Sequence, residues 1–130
     1  MEELFCIIQL YDYVRLILYD ESSYKETNIM NTWKSFHDKP YCREIENILF
    51  QDIDLSEKRI RVFQYYSEII DKLSEVVNKE RNIRNRDIYT LLFFIDNLYA
   101  YKFEGTEELQ KKILRDVENL FYVHNGCKKE

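Results

Sequence analysis

The chain has 130 residues, 45% of them hydrophobic and 33% charged, with a net charge of −5. That is too apolar for a disordered segment and long enough for one buried core, while the acidic excess argues against nonspecific nucleic-acid binding, which depends on neutralising phosphates. Only two glycines (Gly105, Gly126) and one proline (Pro40) are present, so no glycine-rich phosphate loop can be built, and long helices joined by short polar connections are expected.

The first predicted helix runs from Glu2 to Asp20. Leu4, Ile7, Ile8, Tyr11, Val14 and Leu18 recur at three- and four-residue steps and share one face, and Glu2 and Glu3 complement the dipole of the first turn. The same acids, together with the lack of a small-residue cleavage site, argue against a signal peptide. A second helix, Tyr24 to His37, carries Ile29, Met30, Trp33 and Phe36 and must stop before Pro40, whose ring pushes Lys39 out of the helical region. A short third helix over Tyr41 to Phe50 presents Ile45, Ile48 and Leu49.

Asp54 with Glu57 three residues on approximates a capping box, with Ser56 as a competing cap, and opens a fourth helix reaching Lys79. Ile60, Phe63, Tyr66, Ile69, Ile70, Leu73, Val76 and Val77 form its apolar stripe, opposite a solvated face containing Glu57, Arg61, Glu68, Asp71, Lys72 and Glu75. Lys79 to Arg86 is a basic connection. The fifth helix, residues 86 to 103, has a core stripe of Ile88, Leu91, Leu92, Ile95, Leu98 and Tyr99, which Tyr89, Phe93, Phe94 and Tyr101 widen almost all round. A helix of that kind is expected at the centre of a bundle. Gly105 suits a left-handed cap, Thr106 an N-cap, and a sixth helix follows over Glu107 to Val123. The expected organisation is one all-α domain over residues 1–126 with a frayed tail at 127–130, and no segment has the roughly 20 apolar residues of a membrane span.

Chemistry is sparse. His37 and His124 lie in different elements without an acid/base or ligand motif, and Glu104, Glu107 and Glu108 lack the inward Glu-x-x-His pair of helical metal sites. Arg115 and His124 are too far apart for the Arg–His pair of small helical RNA-cleaving toxins. Cys6, Cys42 and Cys127 fit no metal spacing and suggest a reducing compartment. No catalytic residue, cofactor or metal is therefore expected, and function must lie on helix faces. Trp33, Phe36, Phe63 and Tyr66 are the first candidates for partner contact, since aromatic anchors dominate protein interfaces.

Ile83-Arg84, Tyr89-Thr90-Leu91-Leu92-Phe93, Ile95 and Tyr99, following a long amphipathic helix, resemble the late helices of the small Bcl-2-like proteins of poxviruses. Tyr13-Val14 and the run Thr32-Trp33-Lys34-Ser35-Phe36-His37-Asp38 are similar to the opening of that family. The Gly-Arg pair of a Bcl-2 homology motif is absent. The resemblance implies a Bcl-2-like bundle around the helix at 86–103. It also implies a non-enzymatic protein of the host cytoplasm that occupies host proteins of innate signalling or apoptosis, often as a homodimer. The alternative class is a phage or bacterial inhibitor or immunity protein that blocks a defence enzyme or toxin.

Overall fold

The computed structural model of the chain describes residues 2–19, 31, 34–36, 38–79 and 83–124. Among them six long helices occur and no strand: α1 (Glu2–Gln9), α2 (Tyr11–Tyr19), α3 (Pro40–Leu49), α4 (Leu55–Lys79), α5 (Asn85–Ala100) and α6 (Glu107–His124). The helix expected over residues 24–37 falls mostly outside the described residues, as does the tail at 127–130. No described helix is long and apolar enough to cross a membrane.

Local chemistry sets the boundaries. The Asp54 carboxylate accepts the Glu57 backbone N–H at 2.8 Å, so the capping signal ahead of α4 is used. Lys39 is extended and Pro40 opens α3 at its first turn, where a missing N–H costs nothing. Gly105 has φ +91°, a conformation a side chain would oppose. Two expectations need correction. The single first helix is broken at Leu10, whose carbonyl accepts from both Tyr13 and Val14 (2.9 and 3.1 Å). The fifth helix ends at Ala100 rather than continuing to Phe103. Beyond it, Gln110 of α6 accepts from Phe103 N–H at 3.0 Å and donates to the Tyr101 carbonyl at 2.9 Å, pinning the segment in extended form. Thr106 is buried with its hydroxyl 2.8 Å from the Phe103 carbonyl and 3.0 Å from Gln110 Oε1, so it closes this turn from within.

The break at Leu10 serves the core. Tyr11, fully enclosed, meets Phe94 (centroids 5.0 Å), Tyr66 (5.4 Å) and Phe63 (6.0 Å) edge-on. Tyr66 donates its hydroxyl proton to the Ile7 carbonyl at 2.9 Å, tying α4 to α1. The buried apolar residues of all six helices form one continuous cluster. Its axis is α4, which buries Val62, Phe63, Tyr66, Ile69, Ile70, Leu73 and Val77. Helix α6 packs along both α4 and α5, α1 lies against α5 and α3, and α2 touches α4. Lys112 on α6 reinforces the first seam, donating to Ser67 (3.1 Å) and Asp116 (3.0 Å) with Asp71 at 3.5 Å.

The expectation of a central, enveloped helix at 86–103 is overturned. Its inner side (Leu91, Phe94, Ile95, Leu98) is buried, but Tyr89, Leu92, Phe93 and Tyr99 are exposed. Among the described helices α1 and α6 pack closely against it, and both lie toward its inner side, so the widened apolar stripe is two stripes, one of them in solvent.

Candidate docking surface

The outer arc of α5 holds eight exposed residues, Asn85, Arg86, Tyr89, Leu92, Phe93, Asp96, Tyr99 and Ala100. Phe93 is 71% exposed and Tyr89 64%, against values near zero for the aromatic rings of the core. Along this arc Arg86, Tyr89, Phe93, Asp96 and Ala100 step by three and four residues, so they form one straight seam. Tyr99 stands to one side of it, its hydroxyl donating to Glu118 on α6 at 3.0 Å. That hydrogen bond is the main reason its proton is held more tightly than in a free tyrosine.

Beside the seam lies a groove of about 630 Å³ between α5 and the α1–α2 elbow. Ile8, Gln9, Asp12 and Tyr13 form the elbow wall, and Tyr89, Thr90, Phe93, Asn97 and Ala100 form the α5 wall. One end is anchored by Arg15, which donates to Asn97 at 3.1 Å and Asp12 at 2.8 Å while lying 4.1 Å over the Tyr101 ring. The anchor fixes the spacing of the two walls, so the groove is preformed. Its charges are segregated along α5, with Arg86 at the N-terminal end and Asp96 and Asp12 toward the other.

Two of the four expected contact residues are inaccessible. Phe63 and Tyr66 are completely buried and cannot touch a partner while the chain is folded; as members of the three-and-four stripe of α4 they are core. Phe36 is half-buried against the core, and Trp33 lies outside the described residues. The sequence pattern puts Tyr89 and Phe93 on a wrapped core helix instead. The signal that separates them is the pair of charges Arg86 and Asp96 on the same seam, because an inward arc would not carry both.

Other features are structural. Arg84 lies 3.2 Å and Arg86 4.0 Å from the buried Asp87 carboxylate in the first turn of α5, so the end of the basic connection neutralises an enclosed acid. Burial, with Cys6 as the next contributor, pushes the Cys42 thiol up to about 12, which leaves it protonated and unreactive at neutral pH. Among the described residues no three His, Cys, Asp or Glu side chains gather as a metal site. No family model matches the chain, and no curated protein or solved structure is significantly similar to it.

Proposed function

We propose that the chain is a non-enzymatic protein-binding module that docks its partner on the outer face of α5 and in the groove beside it. The observation that carries the reading is the exposure of Phe93 and Tyr89 in the middle of a preformed seam. Large rings held in water on a rigid helix contribute contact area at little entropic cost when covered. The seam is bordered by polar groups, as the cores of protein interfaces are. In line with the resemblance to the small poxviral Bcl-2-like proteins, the reading extends to a cytoplasmic modulator of host innate signalling or apoptosis; that extension, and the Bcl-2-like arrangement itself, rest on the sequence resemblance alone.

Site-specific photocrosslinking tests the docking face. A benzophenone side chain is placed at position 93, and at position 68 on the polar face of α4 as a control. In cells producing the protein, adducts form at 93 and not at 68. Equal labelling at the two positions, or none at 93, would overturn the assignment.

A further inference from the structure

The seam on α5 has a symmetry of its own. Arg86 and Asp96 are spaced evenly about Leu91, and so are Tyr89 and Phe93. If a second α5 lies antiparallel with a two-fold axis at Leu91, one operation sets Arg86 against Asp96 of the other copy and Tyr89 against Phe93 of the other copy. In heptad terms Arg86, Phe93 and Ala100 occupy one core position and Tyr89 and Asp96 the other. An antiparallel pair places unlike core positions opposite each other, as these two pairs require. The parallel arrangement would instead bring Asp96 to Asp96 and Arg86 to Arg86, with like charges opposed.

The rest of the groove agrees with this orientation. Asp12 on the α2 wall stands at the same end as Asp96, but Arg15 already pairs with it at 2.8 Å, so Asp96 is the carboxylate that meets an incoming Arg86. Arg86 is well exposed, its Nε 4.0 Å from Asp87 in the first turn of α5. The pairing is isologous: each copy supplies the aromatic rings that enter the other copy's groove, which is the condition for a closed dimer.

We infer that the occupant of the α5 face is a second copy of this chain, held antiparallel with a Tyr89/Phe93 centre and an Arg86–Asp96 ion pair at each end. This rests on the docking reading above and names its partner. The arrangement places four aromatic rings at the middle, where binding energy concentrates, and the charges at the rim, where they set register.

Sedimentation velocity of the full-length chain between about 5 and 200 µM reads the outcome directly, since that span covers the affinities of modest dimers. The wild type sediments at twice the 16.1 kDa chain mass at the upper end. Arg86→Asp and Asp96→Arg each weaken association by about tenfold or more, and the double reversal restores it, because the opposed pair is re-formed with its signs exchanged. Phe93→Glu, at a side chain 71% exposed, abolishes the dimer while its circular dichroism stays that of the wild type. A wild type that is monomeric throughout would overturn the inference, and so would a dimer indifferent to Phe93→Glu or to the charge reversals. Crosslinks from position 93 only to other proteins would also overturn it, yet would leave the docking face standing, so the two readings fail separately.

Discussion

Helices α4 and α5 are both long, both rich in apolar residues, and neighbours of α6, yet they treat solvent differently. On α4 the side away from the core carries Gln64, Glu68, Asp71, Lys72 and Glu75, and every large apolar residue turns inward or is at least half covered. On α5 the side away from the core carries Tyr89, Leu92, Phe93 and Tyr99. One helix has spent its apolar residues on stability; the other keeps a share of them facing outward. The difference teaches where to look for function in a chain with no visible chemistry: not at the richest apolar helix as such, but at the apolar residues that folding leaves unburied.

Substitutions sharpen this contrast. Phe63→Ala on α4 removes a ring enclosed on all sides and should cost about 3–5 kcal/mol of stability, whereas Phe93→Ala on α5 should change stability by no more than about 0.5 kcal/mol. Denaturant melts of the two variants compare them; equal losses would mean that Phe93 is part of the core.

The core around α4 should also fail in base. Burial lifts the Tyr66 and Tyr11 hydroxyls above the ordinary tyrosine value of 10.0, and the Cys42 thiol rises from 9.0 to about 12. For each group the fold favours the protonated form, so its contribution is complete below the unfolded values of 9.0 to 10.0 and is lost as pH climbs toward the raised ones. Helicity should therefore fall above about pH 10, together with the ultraviolet signature of tyrosinate from the buried rings. Tyrosinate absorbance complete before any helicity is lost would contradict that coupling.

A smaller effect comes from the start of α4. Asp54→Ala removes the carboxylate that accepts the Glu57 N–H and should cost about 1 kcal/mol, read as a lower thermal midpoint. An unchanged midpoint would show that Ser56 or water replaces the cap.

Much of the fold was legible in the residues. The α4 stripe, the Asp54 cap, the Pro40 boundary and the positive φ at Gly105 each follow from one local rule, and each is observed. Periodicity failed where tertiary packing decided the outcome. It does not show the break at Leu10, because that break exists to bring Tyr11 between Phe63, Tyr66 and Phe94. It also does not orient a helix that is apolar on most sides, and so it placed Leu92 and Tyr99 in the core. The exposure of four aromatic rings departs from expectation for a related cause. Phe63 and Tyr66 were valued as aromatics, although their register with Ile70 and Leu73 marks them as buried. Phe93 and Tyr89 were absorbed into the core, although Arg86 and Asp96 on their seam mark that arc as outward.

The anchor of the groove has a consequence in time. Arg15 and Asn97, which clamp its two walls together, are 82 positions apart in the chain, and the Tyr66–Ile7 bond that seats α1 spans 59. Contacts this remote form only after a long loop has closed, later than the local pairing of α5 with α6. A ribosome must therefore release the chain through α5 before the groove exists. A chain halted before α5 has emerged presents only one wall of the groove.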